Sequence, residues 1–259
     1  MSNITNVVMR MQNELRNKEG ITGIDAMHHI NMVLLAKSFN PEMCEILNIP
    51  IELSFDNMNY LNQADLMKKF YTRRPQTNTL LYHIRYNKRF GYDKDIAFQI
   101  TNESTLKYLF TQVVEIPTED LFETSDVIGD IYEHFINREG KTMKDLGQYF
   151  TDRTLIKYLV NIIKPTMNEH GLSQSIWDPA AGTGGFLIEY IAYLNKHNDN
   201  IDWSRNKNQI YGNDINKNTS ALLKQNLYYS FREDCGPVEM KDSLLTDSDI
   251  NYDNILGNP

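Results

Sequence analysis

The stretch Asp178-Pro-Ala-Ala-Gly-Thr-Gly-Gly-Phe186 decides the reading of this chain, with Gln174-Ser-Ile-Trp177 before it and Leu187-Ile-Glu-Tyr-Ile-Ala-Tyr-Leu194 after it. A short run ending in an acid, glycines at 182, 184 and 185, and then an apolar-periodic segment predict strand, glycine turn and helix. That is the opening of a nucleotide-binding crossover. Glycines at such a bend let the backbone pass close beneath a ligand, where a Cβ would collide with it. They also serve an ordinary tight turn, and a Gly-x-Gly-Gly run alone does not separate the two. Asp178 narrows the choice, because a carboxylate at a strand's carboxyl end accepts hydrogen bonds from an amine or hydroxyl and serves a phosphate badly.

Working outward, residues 201–208 read as a polar loop, and Gln209-Ile-Tyr-Gly-Asn-Asp214 reads as a second strand with an acid at its tip. A carboxylate there suits two ribose hydroxyls, accepting from both. Asp214 lies farther from the glycine turn than the roughly 20 residues of a minimal crossover, and the loop at 198–208 accounts for the excess. Asn216, Asn218 and Thr219 open the next helix, which runs on through Leu222, Leu223 and Leu227. Val238-Glu-Met-Lys-Asp242-Ser-Leu-Leu245 has the form of a third strand, and Tyr252-Asp-Asn-Ile-Leu-Gly-Asn-Pro259 that of a fourth. Acid or amide residues at four successive strand tips point to one site.

These residues carry a resemblance. Asp178 to Phe186 resembles the S-adenosylmethionine-binding motif of amino-group DNA methyltransferases, Asp-Pro-x-x-Gly-Thr-Gly-x-Phe. Gly147-Gln-Tyr-Phe-Thr151 looks like the segment that precedes it in N6-adenine enzymes, and Asn258-Pro259 like the start of their Asn-Pro-Pro-aromatic catalytic motif. The family so resembled is the modification (methyltransferase) subunit of type I restriction-modification systems. The resemblance implies an α/β protein: an N-terminal helical domain over 1–140, then, over 147–259, the N-terminal half of a class I, Rossmann-like methyltransferase domain with strand order 3-2-1-4.

The implied cofactor is S-adenosylmethionine, contacted by Gln148, Tyr149, Phe150 and Thr151, by Asp178, Ala180, Gly182, Thr183, Gly184, Gly185 and Phe186, and by Asp214. Asp242 borders the adenine ring in relatives, and a plain turn role suits an aspartate there equally. The implied reaction is methyl transfer to adenine N6 in DNA, with Asn258 and Pro259 accepting the two N–H bonds of the target amine. A flipped base needs an aromatic to stack on, which in the family follows the Asn-Pro pair; here the sequence stops at Pro259. The implied partners are DNA, the specificity and restriction subunits, and a second polypeptide completing the sheet. A protein-glutamine or RNA amino methyltransferase, or a non-catalytic cofactor-binding or interaction module, stands as the alternative.

The rest of the chain is less specific. Its 259 residues, 41% hydrophobic and 23% charged, are enough for two modest cores. No apolar run approaches the ~20 residues that cross a bilayer, and two distant cysteines, Cys44 and Cys235, read as reduced thiols; the expected compartment is cytoplasmic. A formal charge of -8 is not that of a DNA-binding surface, so nucleic-acid contact is expected to be local or supplied by partners. Residues 4–39 show helical periodicity, and prolines 41, 50, 75 and 117 divide the chain beyond them into helices of ordinary length. His28-His29 lacks companion ligands at metal spacing. Between Lys68 and Lys94, basic residues including Arg73, Arg74, Arg85, Lys88 and Arg89 interleave with aromatics. That pattern suits a nucleic-acid surface, or a solvated helical face whose aromatics fill the core. Carboxylates from Asp120 to Glu133 read as one face of an amphipathic helix, and Arg138 to Asp145 as the boundary between domains.

Overall fold

A computed structural model of the chain describes residues 3–74, 76–87, 90, 96–118, 121, 151–245 and 250–259. It divides into two compact units, Met1–Lys88 with Tyr92–Leu121, and Arg89–Gly91 with Phe122–Pro259. The predicted boundary at 138–145, the acidic segment from 122 on, Gln148, Tyr149, Phe150, Lys88 and Arg89 lie outside the described residues.

The first unit is helical: α1 (Asn3–Glu19), α2 (Gly23–Ala36), α3 (Pro41–Ile46), α4 (Phe55–Asn59), α5 (Gln63–Phe70), α6 (Leu80–Tyr86) and α7 (Glu103–Val114). Polar side chains begin four of them, each accepting from an otherwise orphaned backbone N–H: Asn40 from Met43, Ser54 from Asn57, Asn62 from Asp65 and Asn102 from Ser104. Every residue of α2 from Ala26 to Ala36 is buried, which is what an all-round apolar helix requires. Its His29 is held as a neutral imidazole. Nε2 accepts the Gln99 N–H at 2.8 Å, and Nδ1 lies 2.6 Å from the Asp25 carbonyl, to which it can only donate.

The second unit carries a four-stranded parallel sheet of β1 (Ile176–Asp178), β2 (Ile210–Asp214), β3 (Val238–Met240) and β4 (Asn254–Ile255) in the order β3-β2-β1-β4. The α/β class and this strand order are as the sequence predicts. Helices α8 (Arg153–Ile163), α9 (Gly185–His197) and α10 (Lys217–Phe231) complete it. Ile176, Ile210 and Val238 join Leu187, Ile191, Leu223 and Leu227 of α9 and α10 in one core on one face of the sheet. On alternate strand positions Trp177 and Tyr211 are half-buried, and both meet the ring of Tyr252, at 5.2 and 4.8 Å between centroids. Ser175 and Asp253 pin the register of β4 on β1: the Asp253 carboxylate accepts from the Ser175 N–H and Oγ at 2.7 and 3.0 Å, and Ser175 Oγ accepts the Asp253 N–H at 2.9 Å.

The strands are shorter than their sequence patterns. After Met240 the chain leaves the sheet, and Leu244 and Leu245 are 96% and 85% exposed rather than alternating into a core. The polar stretch at 201–208 is not a plain loop. Asp202 caps a helical turn at Trp203–Asn206 by accepting the Ser204 N–H, and the Trp203 ring stacks on Phe231 at 5.5 Å. No helix among the described residues is long and apolar enough to cross a membrane.

Candidate active site

The glycine turn joins β1 to α9, and its glycines divide the labour. Gly182 has φ +57°, and a Cβ built there would meet nothing within 4 Å. The left-handed backbone favours glycine at this point, and the space beside it is open. Gly184 has φ +98°, and its Cβ would lie 2.5 Å from Leu223 Cδ1; a Cβ at Gly185 would lie 2.9 Å from both Arg153 Nη1 and Ile156 Cδ1. At these two positions the packing of α10 and α8 against the turn leaves no room for a Cβ.

Asp178 ends β1 and is 1% exposed. Its Oδ1 accepts the Ala180 N–H at 3.1 Å. Burial, reinforced by the charge of Asp214, pushes its carboxyl up to about 7, against the pull of that hydrogen bond. Asp214 ends β2, accepting the Gly182 N–H at 3.0 Å on one oxygen and the Asn216 N–H at 2.8 Å on the other. It too is raised, chiefly by burial. Each of its oxygens keeps a lone pair for a further donor. Two carboxylates therefore flank the open turn, an environment for amines and hydroxyls and hostile to anions. Among the described residues no group of three or more His, Cys, Asp or Glu could hold a metal ion.

The remaining predicted residues surround this turn. Thr183 and Phe186 are both 4% exposed, and Thr183 gives its carbonyl to Asn226 Nδ2 at 3.0 Å; what this part of the turn can offer a ligand is backbone. Asp242 lies just past β3 and accepts the Leu244 N–H at 2.9 Å, the aspartate turn named as its alternative role. The next residue, Ser243, donates its hydroxyl to the Pro179 carbonyl at 2.7 Å and ties the β3 loop to the turn. Asn258 follows β4, and its Nδ2 donates to Thr151 Oγ1 at 3.2 Å, joining two predicted motifs across 107 residues. No motif or periodicity singles out Ser243, nor Asn213, whose carbonyl accepts the Ala181 N–H at 2.8 Å and whose side-chain oxygen accepts from Trp177 Nε1 at 2.6 Å. Both act across strands, at separations that periodicity does not reveal.

The basic stretch of the first unit resolves unevenly. Arg73 and Arg74 are exposed. Lys69 pairs with Glu52 at 3.0 Å, Lys68 with Asp65 at 3.7 Å, and Arg85 donates to the Ile96 carbonyl. Phe70 is fully buried, while Tyr82 and Tyr86 stack at 4.6 Å beside Arg73 and Arg85 in a small cleft.

A sequence profile described as N-6 DNA Methylase matches residues 123–259, more than half of the chain. The chain belongs to the N-6 DNA methylase family. Over 174 residues, 64% of this family member and 29% of the relative, it is 30% identical to the type I restriction enzyme MjaIX methylase subunit of Methanocaldococcus jannaschii. Over 81 residues, 31% of the chain and 14% of the relative, it is 38% identical to the EcoKI methylase subunit of Escherichia coli. Solved folds agree. A modification subunit assigned to a type I restriction enzyme of Vibrio vulnificus superposes with a TM-score of 0.71 at 17% identity, over 99% of this chain and 60% of that one. The type I methyltransferase subunit of Streptococcus thermophilus gives 0.57 at 14% identity, over 99% and 62%. This methylase-family chain thus spans less than a third of these curated relatives and about three fifths of the solved neighbours.

Proposed function

We propose that the chain belongs to an adenine-N6 DNA methyltransferase of the type I restriction-modification kind, and that it binds S-adenosylmethionine. The observation that carries this reading is that Asp178 and Asp214 end β1 and β2 while Asp242 and Asn258 follow β3 and β4 at the same carboxyl edge of one parallel sheet, with Asp214 on the Gly182 N–H and open space at that glycine. The donor set fits the cofactor: a carboxylate for an ammonium, a second for a ribose diol, and a glycine where a side chain would intrude. Gln148, Tyr149, Phe150 and Thr151 belong to the same proposal.

When bound, the cofactor supplies an electrophilic methyl group. The chain's own part is to prepare the acceptor. Adenine N6 is a poor nucleophile because its lone pair is delocalised into the ring. Asn258 Oδ1 and the Pro259 carbonyl accept its two N–H bonds, orient the amine and stabilise positive charge as it develops there. Asp178 and Asp214 hold, and do not transfer protons to or from the acceptor.

The partners proposed are DNA, contacted by Arg73, Arg74 and Arg85 with Lys88 and Arg89, the specificity and restriction subunits, and further strands beside β4, from the same or a second polypeptide. Among the described residues β4 pairs only with β1, and Ile255 is 59% exposed on that edge. The relatives' designation as methylase subunits of restriction enzymes supports the assembly.

The test is calorimetric titration of the chain with S-adenosylmethionine beside Asp214→Asn and Asp178→Asn variants. Loss of one charge-assisted hydrogen bond weakens binding by roughly tenfold to a hundredfold. A folded chain that fails to bind, or variants that bind as tightly as the parent, would overturn the cofactor assignment.

A further inference from the structure

Asn258 is exposed, and an exposed asparagine ordinarily samples several rotamers. Here it is restrained twice. The backbone just before it lies against the glycine turn: a Cβ at Gly257 would stand 2.8 Å from Asp178 Oδ1 and 3.2 Å from Pro179 Cδ, so only glycine lets the segment seat so closely. The side chain is then met by Thr151 Oγ1, 3.2 Å from Nδ2. Thr151 has a rigid mount. The next residue, Asp152, caps α8 by accepting the N–H groups of Thr154 and Leu155 at 2.8 and 3.3 Å, and Ile156 of α8 packs against Gly185 at the start of α9.

We propose that Thr151 is a positioning residue for Asn258: its hydroxyl engages the amide nitrogen and leaves Oδ1 as the end that faces an incoming amine. With the hydroxyl accepting from Nδ2, as observed, Oδ1 remains for an N–H donor, whereas the reverse orientation would set two N–H donors against a group that also donates. The inference rests on the reading of Asn258 as the acceptor of an amine, and it gives Thr151 a part distinct from contact with the cofactor. Gly257 and Thr151 together place the acceptor residue against the same turn that carries Asp178.

The experiment uses the ligand-free 259-residue chain labelled with 15N, the Asn258 side-chain NH2 pair being assigned by its disappearance in Asn258→Asp. Thr151→Val, which keeps the shape and removes the hydroxyl, is expected to move that pair toward the position of a free amide, and Thr151→Ser to restore it. Titration with S-adenosylmethionine reads the cofactor contact of Thr151 separately from its hold on the amide. In the assembly that methylates DNA, Thr151→Val lowers kcat at saturating cofactor by on the order of tenfold to a hundredfold, with Ser rescuing. An Asn258 pair indifferent to Thr151→Val overturns the proposal, as does a loss of cofactor affinity of tenfold or more with the amide pair unmoved. A parent chain that binds no cofactor sinks the functional reading instead, because the amide measurement is made without ligand.

Discussion

Gly182 and Gly184 are two residues apart, both left-handed, and occupied by glycine for different reasons, so substituting each with alanine separates a ligand-facing glycine from a packing one. At Gly184 (φ +98°) the added methyl meets Leu223 Cδ1 at 2.5 Å, against the 3.5–4.0 Å of comfortable carbon contact. Leu223 is fully buried, so its methyl has nowhere to swing. Left-handed backbone costs an alanine about 1–2 kcal/mol, overpacking a core about 1–3 kcal/mol, and the stiffer unfolded chain returns about 0.4–1 kcal/mol. The net for Gly184→Ala is about 1–5 kcal/mol, centred near 3. Gly182→Ala (φ +57°) meets nothing within 4 Å and keeps only the conformational part, about 0–1.6 kcal/mol.

Both tryptophans of the chain, Trp177 and Trp203, lie in the second unit, so their emission during urea unfolding reports that unit alone. The expected order is Gly184→Ala well below Gly182→Ala, with Gly182→Ala close to the parent in stability and the weaker of the two in binding S-adenosylmethionine once each is folded. Leu223→Ala alone costs about 2–5 kcal/mol as a core truncation; in the Gly184→Ala background it costs less, because it removes the clash, with a coupling of about 1–3 kcal/mol. Equal destabilisation by the two glycine substitutions, or strict additivity with Leu223→Ala, would refute the assignment of Gly184 to packing.

Other expectations are as direct. Asp178 loses its proton near 3.8 when unfolded and about 7 when folded, so the folded state holds the extra proton between those values. Stability is fully present below pH 3.8 and withdrawn as pH rises through 7, by on the order of 4 kcal/mol. Asp178→Asn should therefore be more stable than the parent at pH 8 and show a flatter urea midpoint between pH 4 and 7; parallel curves for the two proteins would contradict this. Burial holds His29 below its ordinary 6.5, despite the Asp25 carbonyl, so stability of the first unit falls as pH drops below 6.5 through the folded value; imidazole NMR should show a depressed titration and a Gln99 N–H that shifts with it. If the first unit contacts phosphates, Arg73→Ala with Arg74→Ala should lower the slope of log affinity for duplex DNA against log salt by up to about 2, at ~0.9 per phosphate. Lys68→Ala with Lys69→Ala, whose charges are already met by Asp65 and Glu52, should lower it less.

What was legible in the sequence was what local chemistry determines. The Asp-Pro and glycine run announces the strand, turn and helix, and an acid marks the end of β1 and of β2. Strand lengths were not legible, because nothing local marks where the strand that starts at Val238 ends: Lys241 still donates its N–H to the Asp214 carbonyl, and the next residues turn away under the Asp242 cap. Nor was the division among the glycines, since only the positions of Leu223, Arg153 and Ile156 distinguish Gly184 and Gly185 from Gly182. The basic stretch divides in a way the sequence does not show. Charge and aromatic counts do not record that Lys69 has found Glu52, or that Phe70 has gone into the core.

The electrostatics of the turn bear on selectivity. Burial and the nearby charge of Asp214 raise the cost of ionising Asp178. A ligand that brings an ammonium to Asp178 relieves that cost, whereas a nucleotide phosphate placed there adds negative charge beside two acids. Adenosine di- and triphosphates share adenine and ribose with S-adenosylmethionine, and the hydroxyl contacts of Asp214 would accept all of them alike. On the proposed cofactor assignment, discrimination falls to Asp178, through repulsion of the wrong ligand as much as attraction of the right one. Asp178→Asn removes both halves: it should weaken S-adenosylmethionine while narrowing the margin by which adenosine diphosphate is excluded. If the variant loses the first affinity and excludes the diphosphate as strongly as before, the selectivity lies elsewhere in the turn.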